Sequence, residues 1–178
     1  MNKGNIILLE EGIQNAIISL ADDIRTSISA LDKVVFVGVV SRGVPLAQRI
    51  ANKIKEYTSF SVPVGQIDVS LYRDDLVFKG NKLELKETKL PFDINDKILI
   101  LVDDVIFHGR TIRAALDGIH AYGRPQSIKL AVLIDRGYRE FPIQPDFTGK
   151  VIQTSKIESI KVKLSETDGE DAVYSIKM

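Results

Sequence analysis

Two adjacent carboxylates, Asp103 and Asp104, follow an apolar run at 98–102 and precede a short loop that contains Gly109 and Thr111. The apolar run is typical of a buried strand, and the residues after the loop have helical spacing. In open α/β sheets, ligands bind beyond the carboxyl ends of the strands. Buried carboxylates there are costly unless they bind hydroxyls, a metal or a base, whereas loop N–H groups and a helix N-terminus attract anions. The segment therefore predicts a site for a sugar phosphate.

The same residues also have a purely structural interpretation. Asp is common at helix N-termini, so Asp103 and Asp104 could serve only to cap the helix that follows. For an isolated Asp-Asp pair the two interpretations have about equal weight. Gly109 permits a positive φ and a close backbone approach, and Thr111 adds a hydroxyl donor. These two residues suit a loop that binds phosphate.

The elements that position this segment are predicted from the spacing of apolar residues. Continuous β-branched runs indicate strands covered on both faces, and spacings of three or four residues indicate helices. The predicted strands are 34–40, 62–72, 98–102 and 127–134, and the predicted helices are 11–30, 44–54 and 112–119. Strands that alternate with helices favour an α/β fold with a central parallel β-sheet and helices on both faces. A chain of 178 residues suits one domain over 1–178.

Two parts of the chain have weaker patterns. Residues 73–95 show no sustained period, and we interpret them as a functional or mobile loop in which 82–87 could form a short hairpin strand. Near the end of the chain, 151–164 alternates in part and 171–177 is a possible last strand.

Composition narrows the classes of function. Lys and Arg total 24 and Asp and Glu total 24, with two His and no Cys. These counts exclude a disulfide framework, a thiolate nucleophile, a cysteine zinc site and a histidine cluster, so any metal must be bound by oxygens. No apolar run approaches membrane-spanning length and the first residues lack a signal-peptide pattern, so we expect a cytoplasmic protein without membrane contact. Zero net charge also disfavours a dedicated nucleic-acid binder.

The segment from the apolar strand to Thr111 resembles a known motif. An apolar strand, Asp-Asp, two apolar residues and aromatic-x-Gly-Arg-Thr resemble the phosphoribosyl diphosphate (PRPP) motif of type I phosphoribosyltransferases. Other segments resemble the PyrR branch of that family, uracil phosphoribosyltransferases that in many bacteria also regulate pyrimidine operons by binding RNA. These segments are 37–44, 65–76, 113–117, 123–125 and 134–140, and the resemblance extends from about residue 5 to 165.

The resemblance implies a small hood over the carboxyl edge of the sheet and a reaction of uracil with PRPP that gives UMP and diphosphate. Asp103 and Asp104 would hold the ribose hydroxyls, and Mg²⁺ would lie on the oxygens of PRPP itself, without a set of protein ligands. The loop from His108 to Thr111 would cradle the 5′-phosphate. The whole substrate-binding segment comprises Val105, Ile106, Phe107, His108, Gly109, Arg110 and Thr111.

The diphosphate and the base are assigned to other segments by the same resemblance. Ser41, Arg42 and Gly43 would bind diphosphate, and Arg73 would complete that site when its loop closes. The base would lie near Asp135 and Arg136. Each assignment has an alternative: both arginines could be solvated surface residues, Arg73 could pair with Asp74 or Asp75, and Asp135 could be a turn residue. No general base is assigned, and Asp104 is only a candidate.

The sequence departs from the PyrR pattern in its phosphate loop. His108 stands where a threonine is usual, so it could donate to the phosphate, weaken the enzyme or face outward without consequence. A weakened site would leave a catalytically silent nucleotide-binding protein as one alternative. His120 is expected to be a surface residue near a helix C-terminus.

The second departure concerns RNA. Residues 1–30 hold two basic residues against four acidic ones, and Gln144 stands where regulators tend to place an arginine. We therefore expect the RNA-binding function to be lost. An RNA-binding regulator stays open as an alternative because four basic residues remain: Arg136, Arg139, Lys150 and Lys156. A phosphoribosyltransferase for another base is a further alternative. The resemblance also implies a homo-oligomer, either a dimer or a tetramer.

Overall fold

The chain alternates strands and helices, as its apolar spacing predicts. The computed structural model describes residues 4–70, 87–155 and 157–177. Its elements are β1 (Asn5–Leu9), α1 (Glu10–Ser27), a 3₁₀ turn (Leu31–Lys33), β2 (Val34–Val39), α2 (Gly43–Thr58), β3 (Val64–Ile67), β4 (Ile98–Ile106), α3 (Arg110–Ile119), β5 (Ser127–Asp135), β6 (Phe147–Val151), β7 (Glu158–Lys163), α4 (Ser165–Asp168) and β8 (Ala172–Lys177). Within these described ranges, none of the helices has the length and apolarity needed to cross a membrane.

Five parallel strands form the central sheet in the order β3-β2-β4-β5-β6. Every residue of β2 is buried, as expected for a strand with both faces covered. Successive side chains of a strand point to opposite faces, so Phe36 packs in the core under α1 and α2 while Val37 packs in the core under α3. The predicted α/β class, with helices on both faces, is confirmed.

A second, antiparallel sheet is built from both ends of the chain, in the order β1-β8-β7. The register pairs Asn5 with Ser175 and Leu9 with Ala172. We call β1, β7, α4 and β8 the hood. Its buried residues Val162 and Val173 belong to the core under α1 and α2, so the hood packs on the main domain. The small hood that the family resemblance implies is therefore present.

Some predicted boundaries are wrong. The strand predicted at 62–72 covers only Val64–Ile67, because the Asp68 carboxylate accepts hydrogen bonds from the N–H and hydroxyl of Ser70 and forms a turn. Residues 71 and 72 lie outside the described residues. The helix predicted to reach residue 30 ends at Ser27.

The strand that carries the acidic pair is longer than predicted. We expected the apolar strand to end at residue 102, with the two acids directly after it and before the loop, but β4 continues to Ile106. The neighbouring strand explains the extension, because Asp103 is in register with Val132 and Val105 with Ile134 of β5. Backbone pairing with β5 therefore places both carboxylates within the strand and not beyond its end.

Ion pairs link the hood to α2. The Arg49 guanidinium donates to Ser165, Glu166 and Asp171, with distances of 2.8 Å to the Ser165 hydroxyl and 2.6 Å to a Glu166 carboxylate oxygen. Hydrogen bonds from Arg49 lower the pKa of Glu166 and of Asp171 below their usual range, and those carboxylates raise the pKa of Arg49. A group with a lowered pKa stabilises the folded state above its unfolded pKa and loses that contribution as the pH falls.

We expect these pairs to make hood docking sensitive to acid. Arg49→Gln should lower the free energy of unfolding at pH 7 by about 2 kcal/mol, a typical value for hydrogen bonds to charged groups. The difference from the wild type should shrink as the pH falls below about 4, where the carboxylates protonate in the unfolded chain. Urea unfolding between pH 7 and pH 3 measures both effects.

The matched control is Lys53→Gln, which removes a pair with Glu56 on the same helix and leaves the hood untouched. A short-range surface pair of this kind contributes little. If Arg49→Gln and the wild type differed by the same amount at every pH, the ion pairs would not be the source of the stability.

Candidate functional site

A cleft of about 280 Å³ opens at the carboxyl ends of β2 and β4. These two strands are parallel neighbours, so their carboxyl ends meet at one edge of the sheet. The lining residues come from four segments of the chain: Val39, Val40, Ser41, Arg42, Val69, Ser70, Asp103, Asp104, Val105 and Thr111. The structure therefore brings the predicted acidic pair, the Ser41-Arg42 turn and Thr111 to one place.

The acidic pair does not cap the following helix. Helix α3 begins at Arg110 with Gly109 as its N-cap residue, so the cap position is five residues beyond Asp104. Instead, the Asp103 carboxylate accepts from the N–H of Asp104 at 3.0 Å, and the Asp104 carboxylate accepts from the N–H of Val105 at 2.9 Å. The capping alternative for Asp103 and Asp104 is therefore wrong.

Burial shapes the electrostatics of this pair. Only 6% of Asp103 is exposed. Burial raises the pKa of Asp104, while the positive charge of Arg42 and the hydrogen bond from the Val105 N–H act in the opposite direction. Removing an ionised carboxylate from water costs free energy, and carboxylates whose pKa is perturbed in this way concentrate at functional sites.

Glycine at position 43 allows the turn after β2 to lie against the acidic strand. A Cβ atom on Gly43 would stand 2.3 Å from the carbonyl oxygen of Val102, which is closer than any side chain tolerates. Gly43 is the first residue of α2 and is buried. The residue thus sets the distance between the Ser41-Arg42 turn, whose preceding peptide bond is cis, and the acidic pair.

Arg42 lies at the N-terminal end of α2 and faces the cleft. Its Nε donates to the Asp168 Oδ2 at 2.9 Å and its Nη2 to the Asp168 Oδ1 at 2.7 Å. These hydrogen bonds raise the pKa of Arg42, with smaller contributions from the charges of Asp168 and Asp104. The alternative that Arg42 is merely a solvated surface residue is wrong, because its guanidinium is fixed.

The predicted phosphate loop lies between β4 and α3. Gly109 has a φ of 90°, which confirms the predicted positive φ. The His108 ring stacks on Phe107 with 3.5 Å between centroids, and its Nδ1 lies 3.6 Å from a Glu140 carboxylate oxygen. Arg110 donates to the same carboxylate at 2.6 Å and 2.9 Å. Glu140 therefore fixes this loop through its hydrogen bonds with Arg110. Among the residues from His108 to Thr111, Thr111 is the one that lines the cleft.

The residues predicted near the base have side chains that are already engaged. The Asp135 carboxylate accepts from the Gly137 N–H at 2.8 Å and from Arg139 at 2.7 Å, as its turn alternative describes. Arg136 is 6% exposed, lies 3.7 Å from the Phe107 ring centroid and donates to the Glu158 carbonyl oxygen at 2.5 Å. Burial lowers the pKa of Arg136. The backbone here is engaged too, since the Arg136 N–H donates to the Ile106 carbonyl oxygen and the Asp135 carbonyl oxygen accepts from the Ile152 N–H, so the position of the base stays a prediction.

The remaining residues named in the sequence analysis lie away from the cleft or outside the described residues. Arg73, Asp74, Asp75 and the possible strand at 82–87 fall on residues 71–86, outside the described residues, apart from residue 87. His120 is exposed, and its Nδ1 lies 2.6 Å from the Leu116 carbonyl oxygen, so its surface position is confirmed. It lines a second cleft, of about 730 Å³, with Asn95 and the 123–126 turn. That cleft lies at the opposite edge of the sheet and shares no residue with the acidic pair.

Sequence reasoning missed two residues that organise the site. Asp168 reaches Arg42 across 126 positions, and Glu140 reaches Arg110 across 30. No motif singles out Asp168, and Glu140 lies in the segment 134–140 that carries the family resemblance but has no assigned role there, so their partners are seen only in the structure.

Comparisons with known proteins agree with this geometry. The family model described as a phosphoribosyl transferase domain matches residues 6–167. A protein named bifunctional protein PyrR from Chloroflexus aurantiacus is 50% identical over 171 residues, which cover 96% of this chain and 94% of the relative. The protein of the same name from Deinococcus radiodurans is 47% identical over 94% of this chain and 91% of its own length.

Solved structures show the same fold. A hypoxanthine-guanine phosphoribosyltransferase from Bacillus anthracis superposes with a TM-score of 0.75 at 22% identity, over 98% of this chain and 99% of the other. A hypoxanthine phosphoribosyltransferase from Trypanosoma cruzi superposes with a TM-score of 0.74 at 18% identity, over 99% and 93%. On the family match and the PyrR identities together, the chain belongs to the type I phosphoribosyltransferases and is of the PyrR type.

Proposed function

We propose that this phosphoribosyltransferase makes UMP and diphosphate from uracil and PRPP. The observation that carries the proposal is the meeting of Asp103, Asp104, Arg42 and Thr111 in one cleft. In the reaction, the bond between ribose C1 and a diphosphate oxygen breaks and its electron pair leaves with the diphosphate. A ring nitrogen of the base forms the new bond to C1 and gives up its proton. The main task of the site is to stabilise the charge on the leaving group.

Four side chains of the cleft have assigned roles in this proposal. The two carboxylates accept hydrogen bonds from the ribose 2′ and 3′ hydroxyls, which fixes the sugar. The loop N–H groups, the Thr111 hydroxyl and the N-terminus of α3 bind the 5′-phosphate. Arg42 donates to the diphosphate, since a guanidinium fork matches phosphate oxygens. Arg73 is proposed as a second diphosphate residue, and no general base is assigned.

The donor set fits a magnesium ion that the substrate itself carries. Across 4–70, 87–155 and 157–177, no group of three or more His, Asp or Glu side chains could hold a metal. Asp103 and Asp104 are hard oxygen donors of the kind that Mg²⁺ prefers, and Mg²⁺ keeps several waters. When bound with PRPP, the ion supplies positive charge to the leaving diphosphate.

The identity of the base is tested by turnover. With PRPP and Mg²⁺, we expect product only with uracil from a panel that also contains hypoxanthine, guanine, xanthine and orotate. Release of diphosphate measures the rate, and chromatography identifies the nucleotide. Product with a purine would assign another base to this site, and the absence of product with every base would sink the enzyme proposal and favour a nucleotide-binding protein.

The acidic pair should matter for binding and not for folding. Asp103→Asn with Asp104→Asn should weaken PRPP binding on the order of a hundredfold, because two charged acceptors for the ribose hydroxyls are lost. Asp104→Asn alone should leave the melting temperature unchanged or raise it. A pKa raised by burial means that ionised Asp104 destabilises the fold at neutral pH, and a neutral side chain removes that penalty.

Calorimetric titration with PRPP and thermal unfolding measure the two effects. Asp117→Asn on α3 is the control, since Asp117 is an exposed acid that pairs with Arg113 outside the cleft. Unchanged PRPP affinity in the double variant would show that the site is assigned to the wrong residues.

We also propose that the RNA-binding function of PyrR regulators is lost. The Arg25 side chain pairs with Asp22 on the same helix. Arg139 donates to the carbonyl oxygens of Phe107 and Ile143 and to the Asp135 carboxylate, and only 11% of its side chain is exposed. Arg136 is also buried, so two of the four residual basic residues are committed to internal contacts. Tight RNA binding needs clustered phosphate contacts that these residues do not supply.

Filter binding with a leader hairpin RNA of the pyrimidine-operon type tests this loss. We expect only weak binding at 50 mM salt that is no tighter than binding to a scrambled hairpin. Tight, sequence-selective binding with a steep salt dependence would restore the regulator alternative that the bifunctional relatives represent.

We make three further proposals about the chain as a whole. The chain is one phosphoribosyltransferase domain over 1–178, it assembles as a homo-oligomer, and it acts in the cytoplasm.

A further inference from the structure

We propose that Asp168, on the hood, is a positioning residue that orients Arg42 for the diphosphate. The inference rests on the proposed function, since it assigns a partner to the residue that would bind the leaving group. Asp168 lies at the C-terminal end of α4, and its carboxylate meets Arg42 at the N-terminal end of α2. The hood therefore acts on the cleft indirectly. Asp168 does not line the cleft, but it contacts Arg42, which does.

The geometry of the pair leaves the useful edge of Arg42 available. Asp168 occupies the side edge of the guanidinium, formed by Nε and Nη2, at 2.9 Å and 2.7 Å. Among the described residues, no hydrogen bond involves Nη1. The end edge, formed by Nη1 and the second N–H of Nη2, can therefore donate two parallel hydrogen bonds to an anion while the side edge stays paired. Arg42 lines the cleft in this paired state.

The Asp168 carboxylate is itself firmly held. It accepts from the Thr167 hydroxyl at 2.6 Å and from the Leu164 N–H at 3.1 Å, in addition to the two bonds from Arg42. Hydrogen bonds from Arg42 hold the pKa of Asp168 well below its usual range, so the group stays ionised. Its exposed fraction is 15%, against 31% for Arg42. A fixed anion of this kind restricts a long, flexible side chain to one orientation before substrate binds.

A competing interpretation is that Asp168 sequesters Arg42 and must release it before diphosphate can bind. Sequestration requires the carboxylate to occupy the same donors that the ligand needs. The free end edge argues against that requirement. The two interpretations predict opposite effects when the carboxylate is neutralised: orientation predicts weaker binding of diphosphate, whereas sequestration predicts tighter binding.

The test compares Asp168→Asn with Asp171→Asn. Both residues are hood acids paired with an arginine of α2, but Asp171 pairs with Arg49, which does not line the cleft. The probes are inorganic diphosphate with Mg²⁺, and ribose 5-phosphate, which lacks the leaving group, each titrated by calorimetry. We expect Asp168→Asn to raise the Kd for diphosphate about tenfold and to leave the Kd for ribose 5-phosphate unchanged. Asp171→Asn should change neither Kd.

The outcomes separate this proposal from the function on which it rests. If the wild type binds diphosphate and Asp168→Asn binds it equally well or more tightly, the positioning role is overturned and the proposed function stands. If the wild type binds neither PRPP nor diphosphate, both are overturned. A uniform loss of affinity for both probes would indicate a general disturbance and would also overturn the positioning role. Asp168→Glu should restore part of the diphosphate affinity, because it retains the charge.

Discussion

The close contact between the start of α2 and strand β4 is the constraint on which the site depends. Because Gly43 has no side chain, the turn after β2 lies directly over the Val102 carbonyl. The two strands are parallel neighbours, so this contact brings a cationic turn to the same edge as buried Asp103 and partly buried Asp104. Any residue with a Cβ at position 43 would push α2 away from β4 and open the cleft at its base.

Five arginines connect separate parts of the described structure. Arg42 and Arg49 join α2 to the hood, Arg110 joins the phosphate loop to Glu140, and Arg136 and Arg139 join the end of β5 to the hood segment and to the loop. A guanidinium suits this use because its planar fork satisfies several acceptors at once. These five are among the 24 Lys and Arg residues of the chain, and their internal contacts are part of the basis on which we propose that RNA binding is lost.

The sequence predicts those parts of the fold that depend on local patterns. Continuous apolar runs identify β2 and β5 because both faces of these strands are covered, and Gly109 is correctly expected to have a positive φ. The extension of β4 through Asp103 is missed, because polar residues end an apolar run in the sequence but not the pairing with β5. Contacts such as Arg42 with Asp168 join distant segments, and no local pattern encodes them.

The hood and the leaving-group site are coupled in both directions. If docking of the hood orients Arg42 and strengthens diphosphate binding, then bound diphosphate must strengthen hood docking by the same factor, since the two free energies form a closed cycle. The second ion pair, between Arg49 and Asp171, holds the hood in place independently of Arg42. In our proposal Arg42 stays paired with Asp168 while its end edge binds or releases an anion, and Arg49 keeps the hood docked throughout, so the surface that positions Arg42 is not lost.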